Sequence, residues 1–144
     1  MTKGEVAKNN FLLGMTCSEA VATAFSEEIG IDRETLSNLS LGFGGGLARQ
    51  RLVCGAVSGM TMVLSFFTKN LDKASRYKVI QDACLEFKNE VGSLICGELL
   101  GVKNDGLVPE KRTEEYYKKR PCADLCLLAG DIAEKYINKL NGTI

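Results

Sequence analysis

The sequence predicts an all-α protein, a compact single-domain bundle of about five to seven helices over residues 1–144. Three observations carry that expectation. Apolar residues recur at helical spacing along most of the chain, and no run sustains the period-two alternation of a half-buried strand. Capping residues and glycines cut the periodic stretches into helix-length pieces, and no internal repeat or linker separates two cores. A chain of 144 residues is also long enough to bury about two-thirds of its unfolded surface without disulfides.

After a short N-terminal segment around Val6 to Leu13, Thr16-Cys17-Ser18-Glu19 has the form of a capping box. It opens a helix with Ala20, Val21, Ala24, Phe25 and Ile29 on one side, ended by Gly30. Asp32 is placed to cap a short helix through Leu36, Leu39 and Leu41, which the glycine run at 42–46 stops. A central helix then begins near Leu52 or Cys54 and runs to Phe67. Leu52 to Thr68 contains no charge over 17 residues, so this is expected to be the most buried helix. That length is at the lower edge of a bilayer span, but Gly55, Ser58, Gly59, Thr61 and Ser65 thin its hydrophobicity, and a buried helix is the better reading.

Asp72 caps the next helix, whose apolar face is Tyr77, Ile80, Ala83, Cys84, Phe87 and Val91, until Gly92-Ser93 breaks it. A turn or short helix from Leu94 to Leu100 holds Cys96, and a polar connection rich in Gly, Asn and Asp follows from Gly101 to Pro109. Lys111 to Arg120, with Tyr116 and Tyr117, reads as a solvated helical face. The last helix starts near Pro121 and buries Leu125, Leu128, Ala129, Ile132, Ala133, Tyr136, Ile137 and Leu140.

Lysines plus arginines balance aspartates plus glutamates at 18 each, so no global basic field favours nucleic acid or an anionic membrane. The first fifteen residues carry Lys3, Glu5 and Lys8 and no apolar stretch of the length a secretory signal needs, which points to the cytoplasm. The sequon Asn141-Gly142-Thr143 then reads as a chance match. A homodimer is expected, because a helix apolar on every face needs more cover than short amphipathic neighbours supply.

Six cysteines and no histidine leave thiols to dominate any nucleophilic or metal-binding chemistry. Their number and irregular spacing do not suit a small disulfide scaffold. Cys17, Cys54 and Cys122 each fall in the first turn of a predicted helix, where free N–H groups and the helix dipole favour a thiolate. Cys84 lies mid-helix beside Ile80 and Phe87 and reads as core, and Cys126, one turn after Cys122, reads as core or as backing for it.

No Cys-x-x-Cys pair exists, so a site must be assembled from distant helices, as an iron–sulfur cluster, as tetrahedral zinc, or as thiol pairs that cycle through disulfides. Packing alone, in a helical interaction module, is the third reading. Gly44, Gly45 and Gly46 match neither the dinucleotide fingerprint nor the P-loop, and read as a tight bend that lets the backbone approach another helix. Arg49 and Arg51 just beyond them leave an anion-binding nest as a second reading. Neither a paired-carboxylate motif nor a nucleotide fingerprint supports a hydrolase or a dehydrogenase.

The order Cys17, then Gly42-Phe43-Gly44-Gly45-Gly46, then Cys54-Gly55-Ala56-Val57-Ser58-Gly59, then Cys96 and Cys122, resembles the redox-active protein family named for its C_GCAxxG_C_C pattern. The similarity covers nearly the whole chain. It implies that Cys17, Cys54, Cys96 and Cys122 are the characteristic redox or metal-binding set and that Cys84 and Cys126 are extras; Cys126, Gly44, Gly45, Gly46, Gly55 and Gly59 are the candidates for the shell around the four. Members are regarded as redox-active or iron–sulfur-binding, tend to accompany oxidoreductase or transporter genes, sometimes carry export signals, and resemble a domain found beside haem in some cytochromes. The resemblance therefore implies an accessory redox protein with an iron–sulfur cluster, zinc or no cofactor, and an oxidoreductase or transporter-associated partner. The sulfurs of the four cysteines are expected in one neighbourhood near the glycine loop, with Cys84 apart.

Overall fold

A computed structural model describes residues 1–142, and every structural statement here refers to them; Thr143 of the sequon lies outside. They form nine helices and no strand, two helices above the expected range. The all-α expectation holds. The extra helices arise where one expected helix divides and where the charged segment before Pro121 coils by itself.

Helix α1 (Lys3–Leu12) starts at Thr2, whose hydroxyl accepts from the Glu5 N–H. Helix α2 (Cys17–Thr23) opens on the complete capping box between Thr16 and Glu19. The expected run to Ile29 breaks at Phe25, which turns its ring fully into the core, and α3 (Ser26–Ile29) continues beyond it to the left-handed Gly30. Lys3 Nζ donates to the Ala24 carbonyl at the break, 3.1 Å away, which replaces a lost helical bond. Helix α4 (Arg33–Ser40) is capped by Asp32 and buries Leu36, whereas Leu39 and Leu41, expected on its apolar face, are exposed.

Helix α5 (Gly55–Phe67) begins later than Leu52, because Leu52 and Val53 are extended and exposed and Val53 forms an antiparallel bridge with Ile95. Helix α6 (Lys73–Val91) is capped by Asp72 and ends at left-handed Gly92; Ala83 and Phe87 are buried, but Tyr77 is exposed. Helices α7 (Cys96–Leu100), α8 (Glu114–Lys119) and α9 (Cys122–Gly142) complete the chain.

Helices α2, α5 and α9 pack on one another at the centre, with α1 along α9, α4 on α2, and α6 against α5 and α9. The most buried helix is α2, all seven of whose residues are buried, and not the Leu52–Phe67 segment. Its polar side chains tolerate this because each is bonded: the Ser18 hydroxyl donates to the Ser40 carbonyl at 2.7 Å, that of Thr23 donates to the Glu19 carbonyl at 2.7 Å, and the Glu19 carboxylate accepts from Ser37. No residue of α5 is exposed, so α2, α6 and α9 supply much of the cover that the sequence reading assigned to a second copy.

Two helix pairs meet backbone to backbone. A Cβ at Gly59 would stand 2.8 Å from the Ser18 carbonyl oxygen, and one at Gly130 would stand 2.8 Å from the Gly4 Cα. Among the described residues no helix is long and apolar enough to cross a membrane.

Candidate functional site

Local structure places all four characteristic cysteines at helix starts. Cys17, Cys96 and Cys122 are the first residues of α2, α7 and α9, and Cys54 immediately precedes α5. The sequence reading had not placed Cys96 at a first helical position. The Val53–Ile95 bridge sets Cys54 beside Cys96: the Cys54 N–H donates to the Leu94 carbonyl at 2.8 Å, and the Cys96 N–H donates to that of Leu52 at 2.6 Å.

Glycines draw these starts together. A Cβ at Gly55 would lie 3.1 Å from that of Cys17, one at Gly44 would lie 2.5 Å from that of Thr16, and one at Gly46 would lie 2.6 Å from that of Cys96. The glycine run therefore acts as the tight bend expected of it. Gly59, farther along α5, serves the contact with α2 instead.

Cys17, Cys54, Cys96 and Cys122 line one cavity of about 360 Å³, together with Gly44, Gly45 and Gly55. Cys84 does not reach it. That thiol is half-buried on α6, where burial raises it and the nearby Thr61 of α5 opposes the rise. Cys126 is fully buried one turn behind Cys122, with its thiol donating to the Cys17 carbonyl at 3.9 Å. The four cavity thiols surround a space without closing on a point: among the described residues no group of three or more cysteine, aspartate or glutamate side chains could hold a metal ion as it stands.

Burial outweighs the helix starts in setting protonation. It pushes the Cys54 thiol up to about 12, although the N–H groups of Ala56 and Val57 oppose it. The Cys122 thiol is raised by its hydrogen bond to Cys17 and then by burial. At Cys17 the same bond favours the thiolate, but the Cys126 thiol and burial overcome it and the group stays well above its ordinary range. Burial also raises Cys96, and the Arg51 guanidinium, 3.7 Å from its sulfur, opposes that. The cavity thiols are therefore neutral near pH 7, contrary to the thiolates that the helix positions alone suggested.

The remaining walls include Arg49 and Arg51, read from the sequence as an anion-binding nest, and residues that sequence reasoning passed over. The chain from Gly45 to Arg49 runs through the left-handed region, φ 51° to 71°, and Arg51 is there too at φ 64°. For Leu47, Ala48, Arg49 and Arg51 this costs roughly 1–2 kcal/mol each, and it is held by bonds such as Arg51 N–H to the Gly45 carbonyl at 3.1 Å. The turn presses Gly46 on Cys96 and buries the Arg51 side chain in the cavity wall. Such backbone outliers cluster at functional sites.

Tied to the turn, the connection from Gly101 to Arg112 forms a strap that lines the cavity with Leu107, Pro109, Glu110 and Arg112. Asp105 accepts from Arg49 at 3.3 Å and Arg51 at 3.2 Å, and Glu110 pairs with Arg120. Arg112 donates to the carbonyls of Phe11 and Met15 and stacks over the Phe11 ring at 4.1 Å, with no carboxylate partner. The segment read as a solvated face is thus partly wall: Arg112, Tyr116 and Arg120 line the cavity. The signals available were the paired tyrosines and the exposed apolar pair Leu107-Val108 within a polar connection.

Four helix starts bearing thiols around one cavity define a helical cysteine-motif protein. A family model described as "Putative redox-active protein (C_GCAxxG_C_C)" matches residues 15–136, and the chain belongs to that family. No curated protein and no solved structure matches it.

Proposed function

We propose that the cavity is a redox centre in which Cys17, Cys54, Cys96 and Cys122 hold an iron–sulfur cluster for electron transfer. One observation carries the reading: thiols from four separate helices face one space in a chain with no histidine. The donor set suits the group, since such clusters take four thiolates. Thiols spread around a space also suit a cluster better than zinc, whose sulfurs must all come within about 2.3 Å of one ion. When bound, the group would accept and release single electrons.

The chain's own residues do the rest. Gly44, Gly46 and Gly55 bring the sulfurs' helices close, the apolar walls limit water, and the Arg51 guanidinium supports a thiolate at Cys96. Each thiol must lose its proton on ligation, so loading releases protons and is favoured at higher pH. The partner in this reading is an oxidoreductase or a transporter-associated protein, and the setting is the reducing cytoplasm, where free thiols persist.

Anaerobic reconstitution with ferrous iron and sulfide tests the proposal. The expected result is a visible charge-transfer spectrum with matching iron and sulfide, lost in Cys54→Ser and kept in Cys84→Ser; zinc uptake alone, or no uptake, would overturn it.

A second reading rests on the Cys17 and Cys122 thiols, whose interaction across the cavity shifts the protonation of both. An external two-electron oxidant would take two electrons and two protons from the pair and leave a disulfide. Peptide mapping after titration with oxidised glutathione would then find Cys17 joined to Cys122.

A further inference from the structure

We infer that the cavity also binds a small organic anion with an apolar body, seated by its charged group beside the buried guanidinium of Arg51, next to Cys96. The proposal goes beyond electron transfer and requires neither a cluster nor a disulfide.

The first observation is a buried guanidinium whose charge the protein only partly compensates. The Arg51 side chain is only 8% exposed; its Nη1 donates to Cys96 Sγ and its Nη2 to Asp105, but its Nε is buried without a hydrogen-bond partner. The unpaired N–H leaves part of the guanidinium charge uncompensated inside the protein, which favours a negative group in the adjoining cavity. Arg51 is also strained into the left-handed region to stand there. Protein groups that could reach it are spent: Asp105 accepts from Nη2 and is shared with Arg49.

Charge points the same way. Four guanidinium groups line the cavity, those of Arg49, Arg51, Arg112 and Arg120, while only Asp105 and Glu110 pair with them; four less two leaves two positive charges in excess. In a partly enclosed, apolar space such an excess favours an anion.

Leu41, Leu99, Leu100, Leu107 and Pro109 line the same cavity, so the ligand's body is apolar and its charged end meets the arginines. Leu107 on the strap is 88% exposed and Leu41 is exposed, which gives the ligand a way in from solvent. A carboxylate on a short hydrocarbon chain has this chemistry.

Hexanoate is the probe. The reduced, metal-free chain of residues 1–144, labelled with nitrogen-15, is titrated with hexanoate, with hexanol and with inorganic phosphate while the Arg51 Nε–H resonance is followed. We expect hexanoate to move that resonance saturably and hexanol to leave it in place. Arg51→Lys, which keeps the charge but loses the Nε–H fork, should weaken hexanoate at least tenfold. Leu107→Asp, a change at an exposed position, should weaken it at least fivefold and carries the test if Arg51→Lys does not fold. The proposal is overturned if hexanoate leaves the resonance in place, if hexanol binds as tightly, if phosphate alone moves it, or if both folded variants bind hexanoate like the parent. The readout is independent of iron or disulfide content, so its failure is separable from failure of the redox reading.

Discussion

Each cavity cysteine sits where the unpaired N–H groups of a helix start favour its thiolate, yet Cys54 is raised to about 12 because burial removes more solvation than those groups return. The gap from the ordinary 9.0 leaves roughly a thousandfold less thiolate near neutral pH. Cys54 in the folded, metal-free chain is therefore expected to react with a disulfide reagent about a thousandfold more slowly than in urea, as timed labelling and peptide mapping would measure. The sign for stability follows from the same shift. The folded chain holds these protons more tightly than the unfolded chain, so the neutral thiols stabilise fully below pH ~9 and lose that contribution as pH climbs towards 12. Chemical denaturation of the metal-free protein should show the midpoint falling across that window, and Cys54→Ser should flatten the fall. Cys84→Ser, half-buried with Thr61 at hand, should cost about 1 kcal/mol or less of stability.

At the scale of elements, glycines at helix crossings and glycines at the cavity should respond differently. Gly59→Ala drives a methyl against the Ser18 backbone and should destabilise the fold by about 1–3 kcal/mol, read by urea denaturation, since neither helix can yield without parting the core. Gly46→Ala adds strain at φ 71° and collides with Cys96, so it should additionally disturb the accessibility of the Cys96 thiol to alkylation. The helices themselves were legible in the sequence because their signals are local: Thr16, Asp32 and Asp72 cap as their positions imply. The break at Phe25 was not legible, since its cause is a distant core and the amine of Lys3. The Val53–Ile95 pair was invisible because a single bridge has no periodicity, although it joins two of the four cysteines. That the cysteines must meet in space followed from the lack of any local pair, but the choice of the four, Cys96 included, came from the family pattern; Arg51 was marked only by its place after the glycine run, and Arg112 and the strap are tertiary facts without a motif.

For the molecule as a whole, balanced charge conceals a local surplus. Net charge is zero, but arginines gather around the cavity and Asp105 alone restrains two of them. Asp105→Asn should release the strap. Hydrogen exchange is expected to quicken at amides between Val102 and Arg112 while the centres of α2, α5 and α9 keep their protection; unchanged exchange in the strap would show that the arginine contacts do not hold it.

The first of the cavity's four thiols is Cys17 and the last is Cys122, 105 positions later in the chain. Synthesis delivers those residues in that order, and helix α9 must dock on α2 and α5 before the fourth thiol faces the other three. A motif of neighbouring cysteines could be filled while the chain is still emerging from the ribosome. This one cannot: whatever the cavity comes to hold is received by a finished fold and not by a nascent segment.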